Sequence, residues 1–101
     1  MTKITIAGKS FYKYHLFLSR ISKDDEYLHT VNPEAQSIKI SSQGNAVDTE
    51  TGEIVDKNPR PLTTYVFDWG KNIFAISFED KIPNHEELIK IFLGLDKSTT
   101  E

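Results

Sequence analysis

The chain has 101 residues, 38% of them hydrophobic and 27% charged, with a formal net charge of −3 and no cysteine. That length leads to one domain, 1–101, with no room for a second core, and the composition excludes a disordered chain. The missing cysteines exclude a disulfide framework and any thiolate metal site, and favour a reducing, cytoplasmic setting (the host's cytoplasm if a virus or plasmid encodes the chain).

Met1 to Ala7 holds no apolar run of signal-peptide length, and no apolar stretch reaches the roughly 18 residues of a membrane span. No membrane partner is therefore expected. Charge is unevenly spread. Residues 1 to 23 carry Lys3, Lys9, Lys13, Arg20 and Lys23 and no acid, whereas residues 24 to 101 carry seven Lys/Arg and fifteen Asp/Glu. Such asymmetry marks either an interaction surface or a basic strand lying beside acidic ones.

In chain order, Thr2 to Ala7 alternates around Ile4 and Ile6 and reads as a strand, broken by Gly8. Ser10 to Ile21 fits two periods. As a strand it divides Tyr12, Tyr14, Leu16 and Leu18 from Phe11, Lys13, His15, Phe17 and Ser19. As a helix it aligns Tyr14, Phe17, Leu18 and Ile21. Its aromatic density and its lack of Ala, Glu and Gln favour the strand. Ser22 to Glu26 is a charged turn. Tyr27 to Val31 is a short strand stopped by Asn32-Pro33, and Ser37 to Ser41 is another, with Ile38 and Ile40 on one face.

Ala46 to Asp56 reads as a surface hairpin turning at Thr49 to Gly52, with Gly52 at positive φ. Asn58-Pro59-Arg60-Pro61 is a stiff connector. The clearest strands follow, Leu62 to Trp69 and Asn72 to Phe78, joined at Gly70-Lys71 and expected near the centre of the sheet. Tyr65, Phe67 and Trp69 share one face of the first, and Phe74, Ile76 and Phe78 share one face of the second. A helix closes the chain. Asn84 and Glu87 suggest a capping box, and Leu88, Ile91, Phe92 and Leu95 form its apolar stripe. Residues 96–101 are a polar tail. The sum is an α+β fold: an antiparallel sheet of five to seven strands, flat or curled, with one C-terminal helix packed on one face.

Motifs for chemistry are scarce. Gly8-Lys9-Ser10 follows a strand, but a phosphate-binding loop needs a glycine where Lys3 stands. Asp68, Glu79 and Lys81 have the outline of a metal-dependent nuclease. A tight turn at Gly70-Lys71 would, however, put the two acids about 20 Å apart along the strand, too far to share an ion. His15, His29 and His85 form no close-spaced ligand pair, and His85 reads as a surface residue in the first helical turn. His29 follows the acidic Asp24, Asp25 and Glu26. No Gly-x-Ser-x-Gly elbow occurs. No catalytic residue, metal site or cofactor is therefore assigned.

Two groups remain as candidate partner contacts. Lys9, Phe11, Lys13, His15 and Phe17 share one strand face. There they either track phosphates and stack on bases, or bury their rings while the lysines guard the sheet. Asp48, Glu50, Glu53 and Asp56 give the 46–56 hairpin a negative tip, able to occupy a basic groove or simply to stay solvated. The reading that follows is a small non-enzymatic binding protein that modulates a larger protein by covering its surface. It is in the style of accessory or inhibitor proteins of phages and mobile elements. A nucleic-acid binder using residues 9 to 20 is the alternative, a nuclease a remote one, and a homodimer is compatible with either binding role.

Overall fold

The computed structural model describes residues 1–95, and the expected polar tail, 96–101, lies outside the described residues. The element order is β1 (Thr2–Ile6), β2 (Lys9–Ser19), β3 (His29–Val31), β4 (Ile38–Ile40), β5 (Ala46–Asp48), β6 (Ile54–Asp56), β7 (Arg60–Trp69), β8 (Asn72–Glu79) and α1 (His85–Leu93). The fold is α+β, as the patterning indicates: mostly antiparallel strands with one short C-terminal helix. The 9–19 segment is a strand, and its helical period goes unused. In place of a single sheet there are two, one of five strands ordered β1-β2-β7-β8 with β3 on β2, and one of three ordered β4-β5-β6. The reason for the split lies in β4, β5 and β6. Each is three residues long and is closed on its neighbours by tight turns, so this meander completes its own ladder.

The chain divides into two compact units, Met1–Tyr14 with the chain from Thr64 onward, and His15–Thr63. Each has its own buried cluster. In the first, Ile6, Phe11, Tyr65, Phe67 and Ile89 are buried, with Ile4, Ile76, Phe78, Leu93 and Leu95 packed against them. β1 pairs with β2 in the register Ile4↔Phe11 and Ile6↔Lys9 across a two-residue turn. Ala7 and Gly8 both take positive φ there, 49° and 80°. That is the primed turn whose twist matches a hairpin, so Gly8-Lys9-Ser10 enters a strand and cradles nothing. In the second unit, Phe17, Val31, Ile38, Ala46 and Val55 are buried. β5 and β6 form the expected hairpin, with a bulge between Ala46 and Val47 and Gly52 at φ 75°.

Helix α1 departs from its reading in two ways. Ile89 is the fully buried position, while Ile91 and Phe92 are 73% and 81% exposed. Apolar residues at 88, 89, 91, 92 and 93 cover about 200° of the helix circumference at 100° per residue, so more than one stripe satisfies the period. The N-terminus does not use a capping box. Asn84 is left-handed, with φ 61° and no side-chain cap, a conformation asparagine tolerates better than most residues. Gly94 closes the other end, its N–H donating to the carbonyls of Ile91 and Lys90. Among the described residues, no helix is long and apolar enough to cross a membrane.

Candidate docking surface

The first unit carries more apolar side chain than it buries. β7 and β8 meet at Gly70-Lys71, where Gly70 takes φ 66° and Lys71 stays at negative φ. This is the two-residue turn that needs glycine first. It fixes the register, and the Thr64 and Ser77 hydroxyls meet at 2.8 Å as that register requires. β8 is the last strand of the order and not a central one, so only one of its edges is paired among the described residues.

The helix-facing side of this hairpin and the flank of α1 enclose an open groove of about 470 Å³. Phe67, Trp69, Phe74, Ala75 and Ile76 line its sheet side, and Phe92 and Leu93 its helix side. Phe67 is the buried hub. Its ring lies 5.1 Å from Phe11, 6.0 Å from Phe74 and 6.3 Å, edge-on, from Trp69. Trp69 and Phe74 stay 43% and 45% exposed, so the groove has a packed floor and open apolar walls. At its rim, the Lys9 ammonium sits 5.1 Å from the Trp69 ring centre and donates to the Asp68 carbonyl. The lysine is held over the ring face by the ring's negative π-cloud.

A second cluster ties the start of α1 to the sheet. The His85 ring stacks on Phe78 at 4.7 Å and 17°. Its Nδ1 lies 3.1 Å from the Tyr65 hydroxyl and its Nε2 3.3 Å from the Glu79 carbonyl. A carbonyl only accepts, so Nε2 carries a proton and donates to it, leaving Nδ1 to accept from Tyr65. Burial pushes the Tyr65 hydroxyl above its ordinary pKa, and the negative charges of Glu86 and Asp80 add to this. His85 is therefore a half-buried staple and not the surface residue its helical position suggests. No signal in the sequence pairs it with Tyr65, twenty residues earlier.

The residues singled out in the sequence are placed as follows. Lys9, Phe11 and Lys13 fall in the first unit, and His15, Phe17, Asp48, Glu50 and Glu53 in the second. Phe11 and Phe17 are 0% and 4% exposed, each in a different cluster. Neither ring can stack on a base, which corrects the view of the stripe as a stacking platform. Lys13 lies 5.9 Å from the Tyr65 ring centre, and His15 is exposed. The acidic tip is largely engaged within its own unit. Asp48 accepts from the Glu50 amide at 2.9 Å, Glu50 from the Ser37 hydroxyl at 3.4 Å, and Glu53 pairs with Lys23 at 3.5 Å.

Asp56 is not part of that tip. It is buried, and its two oxygens accept from the backbone amides of Arg20 and Asn58 at 3.0 and 2.8 Å. The β7–β8 register puts Asp68 opposite Ile73, and Glu79 six residues further along at about 3.3 Å each, which separates the acids of the nuclease outline. Among the described residues, no three His, Asp or Glu gather closely enough to hold a metal ion. His29 Nε2 and Asp25 lie 2.7 Å apart on an exposed turn, with Asp25 also accepting from the Tyr27 amide at 3.0 Å. No protein-family model, no curated protein and no solved structure matches this chain.

Proposed function

We propose that this chain is a non-enzymatic protein-binding module, which covers part of a protein partner with the apolar groove between the β7–β8 hairpin and α1. The observation that carries this reading is the open, ring-walled groove itself, with Phe92 81% exposed on its helix side. Leaving such a ring in water forgoes on the order of 2 kcal/mol of burial, a gain open to a partner that covers it. The occupant that fits is a protein segment with an apolar anchor for the groove and an acidic neighbour for Lys9 at the rim. Affinity would rest on that anchor, because a few buried rings dominate most interfaces.

The test uses the intact chain and its Phe92→Glu variant as baits, followed by affinity measurement on whatever the wild-type chain retains. The variant is expected to lose about 2 kcal/mol of binding or more, roughly thirtyfold in affinity. Equal retention by both baits, or none by the wild type, would sink the reading.

A further inference from the structure

Among the described residues no strand lies beside the outer edge of β8, and its sequence is complementary to itself. Edge strands normally discourage pairing with charge, proline or shortness. The other end of the strand order follows that rule: β1 has five residues and carries Lys3. β8 has eight residues, and Asn72 through Phe78 contain no charge and no proline. Ile73 is 73% exposed and Phe74 45%, so solvent reaches this strand.

The turn at Gly70-Lys71 makes Trp69 and Asn72 the first hydrogen-bonded pair of the hairpin. Alternation then points the amides and carbonyls of Asn72, Phe74 and Ile76 at β7, and those of Ile73, Ala75 and Ser77 outward.

We propose that a second copy of this chain pairs with β8, antiparallel, across a two-fold axis at Ala75. This register uses the outward groups: Ala75 meets Ala75 of the other copy, and Ile73 meets Ser77. On the helix side, Phe74 falls opposite Ile76. At both ends Lys71 falls opposite Glu79, so the pairing joins unlike charges twice. A shift of one residue would turn apolar faces toward polar ones. A shift of two, centred on Ile76, would set Lys71 against Lys81. The two-fold axis runs through the sheet, so both grooves stay on one side of the joined strands and remain open. The dimer thus goes beyond the binding role proposed above and stands or falls apart from it.

The cysteine-free chain allows a direct test. In the Ala75→Cys variant the two thiols face each other with Cα atoms about 5.5 Å apart, inside the disulfide range of roughly 4.4–6.8 Å. Mild oxidation is expected to give a covalent dimer of twice the 11.5 kDa chain mass, whereas Ser77→Cys, facing Ile73, forms no covalent link. Light scattering on the untreated wild type should show the same doubled mass. Lys71→Glu and Glu79→Lys should each return monomer, and the two together should restore the dimer. A wild type that is monomeric at every concentration, or a dimer in which Ala75→Cys links no better than Ser77→Cys, would overturn the proposal. Either result leaves the Phe92→Glu binding comparison untouched.

Discussion

The two units are built around clusters of equal number and unlike chemistry. The first buries Phe11, Tyr65 and Phe67 with two isoleucines, and leaves Ile91 and Phe92 largely in water and Trp69 and Phe74 close to half exposed. The second buries Phe17 with small aliphatic residues and ties its connections with polar groups: Asn32 to Glu34, Ser41 to Asn45, Asp48 to Glu50, Asp56 to Asn58. Each tie gives a backbone amide an oxygen acceptor within the loop, which fixes a turn without needing apolar mass. Apart from Tyr27, 71% exposed in the second unit, aromatic surface in excess of a unit's own packing gathers in the first, and that is where a partner gains most by docking.

The sharpest way to break this contrast is to ask which rings hold the fold. Phe11→Ala and Phe17→Ala should each cost about 3–5 kcal/mol, since each empties a fully packed position. Phe92→Glu should change stability by no more than about 0.5 kcal/mol, as exposed substitutions usually do. Urea unfolding followed by circular dichroism reads all three, compared through their midpoints at an unchanged slope. A Phe92→Glu cost as large as that of Phe11→Ala would make the groove wall part of the core and remove the docking surface.

Within the second unit, the polar ties should be unequal. Asp56 has a side chain 9% exposed and serves two backbone amides, with the Arg20 guanidinium 4.0 Å away. Asp56→Ala strands those amides and should cost about 1–3 kcal/mol. Glu53 and Lys23 are half-exposed partners 3.5 Å apart. Glu53→Ala should cost under about 1 kcal/mol, as solvent-screened pairs do. Losses under about 1 kcal/mol for both would mean that this unit is held by its apolar cluster and not by its polar ties.

What was legible in the sequence follows the same division. Period-two alternation located β1, β2, β7 and β8, because each spans enough residues for alternation to show. The turn residues located the Gly70 and Gly52 hairpins. Three features were hidden, each set by contacts distant in sequence. The split into two sheets depends on which short strands find each other, and three residues carry almost no periodic signal. The buried side of α1 depends on the sheet beneath it, so Ile89 could not be chosen over Ile91 from spacing. His85 looked like any residue of a first helical turn until Phe78 and Tyr65 came to its ring. Of the candidate contacts, the stripe from Lys9 to Phe17 lies along β2, but strand parity alone does not say whether a face meets solvent or core. The groove leaves no mark in the sequence because Trp69, Phe74 and Phe92 share their strand faces and helix stripe with residues that do pack inward.

The smallest expected effect concerns the acidic turn before β3. Asp25 accepts from the Tyr27 amide and lies against His29. The Tyr27 hydrogen bond is the main cause holding its carboxyl below the ordinary aspartate range, with the hydrogen bond and charge of His29 adding to it against a desolvation cost. A carboxyl whose pKa falls on folding contributes stability above its unfolded pKa, and that contribution is lost as pH drops through the folded value. The turn should therefore loosen only in acid, while the rest of the fold persists. Carbon-detected titration of the Asp25 carboxyl should give a midpoint below that of aspartate in a short peptide. In His29→Ala the midpoint should rise and still stay below the peptide value, because the Tyr27 amide remains. A midpoint at the peptide value in the wild type, or a shift wholly abolished by His29→Ala, would show that the backbone amide does not hold this turn. The polar ties of the second unit would then be weaker than their geometry implies.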